Sequence, residues 1–195
     1  PLVGFGTYKS GNDEDTSEIV KNALEIGYRM IDTASFYGNE KGIGKGIKES
    51  KIDREEIFLV TKLWNEDHGY DSTIKAFNNS LKNLDVDYID LYLIHWPNKL
   101  NAETWKAFEY LYSIGKVKAI GVCNFKINHL EELKKIATIM PMVNQVEMHP
   151  FSIKSEMIRY CKENDIQVIA WSPISRGRIF SNDLMINLAE KYNKT

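Results

Sequence analysis

Seven short apolar runs recur along the chain, separated by longer amphipathic stretches, and that alternation restricts the fold more than any other feature. The runs are Leu2 to Phe5, Tyr28 to Ile31, Ile57 to Val60, Ile89 to Ile94, Val117 to Val122, Met142 to Val146 and Ile166 to Trp171. They are rich in Val, Ile and aromatic residues and only about 4–6 residues long, which suits strands buried on both faces. Helical stripes lie between them. Ile74, Phe77, Leu81 and Leu84 repeat at helical spacing behind a cap at Asp71 or Ser72. Trp105, Phe108, Leu111 and Tyr112 form a second stripe, stopped by Gly115, and Ile127, Leu130, Leu133 and Ile136 form a third. Thr16 or Ser17 opens the first helix, Gly27 closes it, and a last helix starts near Asn182 and still runs at Thr195.

Strand and helix in strict alternation, with near-continuous apolar strands, predict a parallel α/β fold. Seven repeats point to a (β/α)8 TIM barrel with about seven of its eight units in this chain. Such barrels typically need about 250 residues. The 195 residues therefore read as a single barrel domain, 1–195, incomplete at the C-terminus. Hydrophobic residues at 43% and charged residues at 27% fit a soluble globular protein. The net charge of -2 gives no electrostatic reason to expect nucleic acid or an anionic membrane as partner. No apolar run reaches the roughly 18 residues of a membrane span, and the first residues do not read as a signal peptide. Cys123 and Cys161 have no CxxC spacing, so a reducing, cytoplasmic setting is expected.

In such barrels the active site forms at the C-terminal ends of the strands. The residues that follow each run are Asp32 with Tyr37 in the next loop, Lys62, His95-Trp96, Cys123-Asn124, Gln145 and Glu147, and Trp171-Ser172. A phenol has a pKa near 10, and a nearby ammonium favours its phenolate and lowers that value. A carboxylate beside the lysine keeps it charged and in place. A neutral histidine can orient a carbonyl oxygen by hydrogen bonding. Asp32, Tyr37, Lys62 and His95 supply that set for protonating a carbonyl oxygen as hydride arrives at its carbon. Each alone has a plainer reading: Asp32 as a helix cap, Lys62 as a solvated strand end, His95 as a loop filler, Tyr37 as core packing. Their joint placement at neighbouring strand ends carries the argument.

The chain resembles the aldo-keto reductases along essentially its whole length. The matching segments are Gly4-Phe5-Gly6-Thr7, Ile31-Asp32-Thr33-Ala34 with Tyr37-Gly38-Asn39-Glu40, Val60-Thr61-Lys62-Leu63-Trp64, Asp87 through Pro97, Gly121-Val122-Cys123-Asn124-Phe125, Asn144-Gln145-Val146-Glu147 and Ala170-Trp171-Ser172-Pro173. The branch that it looks most like holds diketogluconate reductases and prostaglandin F synthase-like enzymes. The resemblance implies an NADPH-dependent reductase of aldehydes, ketones or sugar carbonyls that works as a monomer. It implies Tyr37 as general acid, Lys62 as its pKa depressor, Asp32 as that lysine's anchor and His95 as the carbonyl orienter. Gly6, Thr7 and Asp32 would lie near the cofactor; Cys123, Asn124 and Gln145 would hold the nicotinamide carboxamide. Trp171 would stack on the nicotinamide, since an aromatic face presents one side of the ring. Ser172, Ile174 and Arg176 would line the pyrophosphate loop, and Phe36, Trp64 and Trp96, with His95, would wall the substrate pocket. Two features depart from the family. Most relatives carry serine where Cys123 stands, and a thiol donates more weakly. The family's 2′-phosphate pocket follows the eighth strand, so the NADPH preference is implied by the resemblance alone.

Other signals weigh less. Gly42-Ile43-Gly44-Lys45-Gly46 fits neither GxGxxG nor the P-loop, and reads as a helix start packed closely on a neighbour. His68, His95, His129 and His149 show no metal-ligand spacing, Glu147 and His149 read as loop packing, and no metal is expected. The mixed charges from Lys48 to Glu56 read as a solvated helix end and turn, and Cys161 as a small buried residue. The alternatives are a non-catalytic NADPH-binding partner module of the potassium-channel β-subunit type, and a barrel enzyme that uses a metal or a phosphate.

Overall fold

The computed structural model describes residues 1–194. Seven strands, β1 Phe5–Gly6, β2 Met30–Asp32, β3 Phe58–Leu63, β4 Ile89–Ile94, β5 Val117–Cys123, β6 Val143–Glu147 and β7 Gln167–Trp171, form one parallel sheet in chain order. Seven helices follow them: α1 Asp13–Glu25, α2 Glu40–Ser50, α3 Tyr70–Leu84, α4 Asn101–Ser113, α5 Ile127–Lys134, α6 Ser155–Glu163 and α7 Asp183–Tyr192. The architecture is a (β/α) barrel with seven units. Two apolar layers explain its stability. Outward residues such as Leu59, Tyr92, Ile94 and Ile120 pack under the helices with Phe77, Trp105 and Phe108. Inward residues Met30, Val60, Leu91, Leu93, Cys123 and Val143 form a second, smaller cluster inside the sheet. Burial on both faces is why the strands read as near-continuous apolar runs.

Several boundaries differ from the sequence expectation. The first strand is Phe5–Gly6 and pairs only with Ile31 and Asp32; Leu2 and Val3 are exposed, with no strand residue opposite them. Helix α1 opens earlier than Thr16. Asn12 caps it by accepting from the N–H groups of Glu14 and Asp15 at 2.8 and 3.0 Å, and three acidic residues fill its first turn. That polar start carries no apolar period and so escaped a reading by stripes. Helix α3 starts at Tyr70, just before the expected caps. Helix α5 ends at Lys134, which leaves Ile136 exposed beyond it. Helix α7 stops at Tyr192, where Asn193 turns left-handed; the expected run to Thr195 ends outside the described residues.

The glycine run lies within α2 and behaves as helix packing. A Cβ on Gly42 would stand 2.3 Å from the Asp13 carbonyl oxygen, and one on Gly44 would stand 2.3 Å from that of Leu84. Bare glycine backbone thus lets α2 touch α1 and the end of α3. At the opposite end of the barrel from the site, Asp90 is buried and gathers Arg54 at 2.7 Å, Lys118 at 3.1 Å and the Leu59 N–H at 3.0 Å.

Candidate active site

Side chains alternate along a strand, so a residue two past an inward apolar residue also points inward, one layer higher. That rule builds the site. Asp32 stands above Met30, Lys62 above Val60, His95 above Leu93, Gln145 above Val143 and Trp171 above Ile169. Cys123 closes the layer from β5. An apolar floor therefore carries a polar tier at the C-terminal mouth of the barrel.

Lys62 is the most buried charge of the tier. Its Nζ donates to Asp32 Oδ1 at 2.5 Å and to the Thr33 carbonyl oxygen at 2.8 Å. Burial pulls its pKa down, but Asp32, Tyr37 and the other nearby groups outweigh that and leave it above its ordinary value. The ammonium is therefore permanent at neutral pH. Asp32 Oδ2 accepts from Gln145 Nε2 at 2.7 Å, so both carboxylate oxygens are occupied. Tyr37 sits in a single helical turn after β2, with Lys62 Nζ 5.4 Å from its ring centre. The expected fall in its pKa is not what results. Burial raises it, Lys62 works against that rise, and the net is above 10.0. The phenol is a well-held proton store rather than a half-ionised one.

His95 lies edge-on to Tyr37, with ring centres 5.8 Å apart. Burial, reinforced by the Lys62 charge, lowers its pKa to about 3, so the imidazole is neutral across the physiological range. Among the described residues its buried Nδ1 has no hydrogen-bond partner. Phe36 stacks on Trp64 with ring centres 3.8 Å apart, and both stand edge-on to His95. Trp96 is exposed at 42% and makes no ring contact with that cluster among the described residues.

The remaining expected residues divide into two groups. Asn124 takes a left-handed conformation at φ 62° and is fully engaged. Its Nδ2 donates to the His95 carbonyl oxygen at 3.1 Å and contacts Cys123 Sγ at 3.1 Å, while its Oδ1 accepts from Trp171 Nε1 at 2.9 Å. Burial raises the Cys123 thiol to about 12, so it stays protonated. Gly6 is exposed at the mouth with open space at its Cβ position. Thr7 is fully buried, and both its N–H and its hydroxyl donate to the Asp32 carbonyl oxygen. It fixes β1 to β2 and does not present a group to the mouth.

Beyond β7 the chain turns through three left-handed non-glycine residues, Ser172, Ser175 and Arg176. Strain of this kind gathers at functional sites. The turn borders a cleft of about 540 Å³ lined by Glu147, Ser172, Ser175, Arg176 and Arg178. Ser175 Oγ is buried there with no partner among the described residues. Two cations and an unspent hydroxyl suit the phosphates of a dinucleotide. Ser172 and Arg176 were expected here; Ser175 and Arg178 were missed, although the segment Ser175-Arg176-Gly177-Arg178 carries the composition of an anion loop. Ile174 is half-exposed and does not line the cleft.

Residues 2–192 match the aldo/keto reductase family. The chain is 52% identical to glyoxal reductase of Bacillus subtilis, over 100% of this chain and 71% of that protein. It is 47% identical to 9,11-endoperoxide prostaglandin H2 reductase of Trypanosoma cruzi, over 100% of this chain and 70% of that protein. A variant of Gox0644 solved in complex with NADPH superposes with a TM-score of 0.94 at 41% identity, covering 100% of this chain and 71% of that one.

Proposed function

The chain belongs to the aldo/keto reductase family, and on that premise we propose that the tier at the barrel mouth reduces aldehydes or ketones to alcohols, with Tyr37 as proton donor. NADPH, when bound, supplies the hydride. The chain's own residues do the rest. Neutral His95 orients the carbonyl oxygen toward the phenol without competing for the proton. Tyr37 gives its Oη proton to that oxygen; the O–H bond of the phenol breaks and that of the alcohol forms. The phenolate left behind faces the Lys62 ammonium, which Asp32 holds in place. The observation that carries this reading is the buried Lys62–Asp32 pair beside Tyr37 and His95, one continuous charge arrangement drawn from three strand ends and a turn.

Trp171, held by Asn124, offers its face to the nicotinamide ring, and Cys123, Asn124 and Gln145 edge the carboxamide. Gly6 lies open beside them. Ser172, Ser175, Arg176 and Arg178 take the phosphates. Phe36, Trp64 and His95 wall the carbonyl side, with Trp96 at its outer rim. This narrow aromatic wall suits small aldehydes, including dicarbonyls of the kind that name the Bacillus subtilis relative. The chain acts as one barrel domain, as a monomer in the cytoplasm, without a nucleic-acid or membrane partner. The near-neutral charge supports the reading without a nucleic-acid partner, and no helix among the described residues is long and apolar enough to cross a membrane.

The test is NADPH oxidation with methylglyoxal or an activated aromatic aldehyde, beside Tyr37→Phe. Turnover should fall by about 10²–10⁴ in the variant while NADPH binding is retained. Equal turnover in both proteins would remove Tyr37 as proton donor. NADPH binding by the parent with no turnover of any carbonyl would favour a binding module instead.

A further inference from the structure

Asp32 and Gln145 lie 113 residues apart in sequence, on strands β2 and β6, and their side chains meet across the mouth at 2.7 Å. No intervening strand carries the contact. The amide orientation follows from chemistry: a carboxylate only accepts, so the Nε2 group must face Asp32 and the carbonyl must face away. Gln145 Oε1 then points at the Cys123 thiol, 3.8 Å off. Gln145 is almost fully buried, and so is Lys62. Among the described residues, Gln145 is the one side chain that donates to Asp32 Oδ2, as Lys62 is the one that donates to Oδ1.

A carboxylate held at one oxygen can rotate and carry its lysine with it; one held at both oxygens cannot. We propose that Gln145 is a positioning residue for the reaction, locking Asp32 from across the barrel so that Asp32 aims Lys62 at Tyr37. The inference rests on the reductase reading above and goes beyond a role in edging the carboxamide. One N–H of the amide is committed to Asp32, and the oxygen accepts only the weak, long contact from the Cys123 thiol. The contact also ties β2 to β6 directly, so it fixes the curl of the sheet at the level where the chemistry occurs.

The test uses Gln145→Met and Gln145→Glu in the intact protein. Methionine keeps the bulk and removes the donor, so kcat at saturating NADPH and carbonyl should fall about tenfold, the usual scale for losing a charge-assisted hydrogen bond. Glutamate keeps the shape but sets a second carboxylate against Asp32. Two carboxylates this close share one proton, and that proton restores a donor to Oδ2. Gln145→Glu should therefore be poor at pH 8 and recover toward the parent as the pH falls to about 5.5, whereas Gln145→Met should not recover. The other groups facing Asp32 do not titrate in that window. Lys62 from β3 and Tyr37 from the turn after β2 are raised, Cys123 from β5 stands at about 12 and His95 at about 3.

Thermal unfolding without nucleotide reads the same contact independently of turnover. Relative to the parent, Gln145→Glu should be less stable at pH 8 and regain the difference by pH 5.5. Both variants keeping the parental kcat, with weaker NADPH binding alone, would overturn the inference, as would a Glu variant with no acid recovery in either measurement. A parent that turns over no carbonyl would overturn the reductase reading instead, and the unfolding comparison would still decide whether Gln145 holds Asp32.

Discussion

Replacing Gly44 with alanine sets two physical rules against each other. Glycine in a helix interior costs about 0.5–1 kcal/mol relative to alanine, so Gly44→Ala on an open helix face would stabilise. In α2 the added Cβ would lie 2.3 Å from the Leu84 carbonyl oxygen and 2.6 Å from its carbon. Both are backbone atoms, so no side chain can swing away. To restore an ordinary contact of 3.4 Å, α2 must retreat by roughly 1 Å from the end of α3. That retreat is obstructed on the α1 side, where a Cβ on Gly42 would stand 2.3 Å from the Asp13 carbonyl oxygen and one on Gly46 2.5 Å from that of Ser17, so α2 has no slack to take up. Overpacking of this kind costs about 1–3 kcal/mol beyond the helix gain. A net loss of about 2 kcal/mol lowers the melting temperature by about 4–8 °C in a chain of this size. Thermal unfolding followed by circular dichroism measures it, with Lys45→Ala on the exposed side of the same helix as control. A Gly44→Ala protein as stable as its parent would refute the packing argument. One that kept its melting temperature and lost NADPH affinity would show the glycine run to be a phosphate cradle.

Two further outcomes follow from buried charge. Among the described residues neither ring nitrogen of the buried His68 makes a hydrogen bond, and burial, opposed only weakly by nearby Asn98, lowers its pKa to about 4, against the ordinary 6.5. The unfolded chain takes up that proton below about pH 6.5 and the folded chain only near 4. The stability held by the neutral ring is therefore complete above pH 6.5 and is lost as the pH falls toward 4. His68→Leu should gain about 2–3 kcal/mol on the parent between pH 8 and pH 4.5, read by denaturant unfolding at both pH values; an equal difference at both would refute it. Asp90→Ala should cost about 3–5 kcal/mol, because it takes the carboxylate from Arg54 and Lys118 and leaves the Leu59 N–H without its acceptor, while Asp90→Asn should cost clearly less by keeping the backbone contact. Melting temperatures decide it, and an alanine variant no worse than asparagine would remove the Leu59 N–H contact from the account.

What was legible in the sequence and what was not separates along one line, the distance over which the cause acts. Strands β4 and β5 were read almost to the residue because burial on both faces writes itself as a near-continuous apolar run, broken only near their starts by Asp90 and Lys118. Asp32, Lys62 and His95 were legible for a related reason: a polar residue at the end of such a run sits at the mouth, whatever its partners, and Tyr37 was placed with them by the turn that directly follows Asp32. Helix starts were misjudged where a polar cap replaces the apolar stripe, as at Asn12, because hydrogen bonds from a cap leave no period. The net direction of the Tyr37 pKa was misjudged because charge proximity is visible in a motif and burial is not. Lys62 was rightly identified as the group that favours the phenolate, yet desolvation by surrounding strands outweighs it. The Asp32–Gln145 contact was the least legible of all. Each residue belongs to its own local motif, and nothing in either motif specifies the other. Only the curl of the sheet, which the inward layer of Met30, Val60, Leu91, Leu93 and Val143 accompanies, brings strands β2 and β6 within one hydrogen bond. Local patterns thus select the chemistry-bearing residues, and the apolar floor beneath them sets how those residues are aimed. Changes to that floor, such as a cavity at Leu93 or Val143, should therefore reach the reaction through the alignment of Lys62 without removing any residue of the tier.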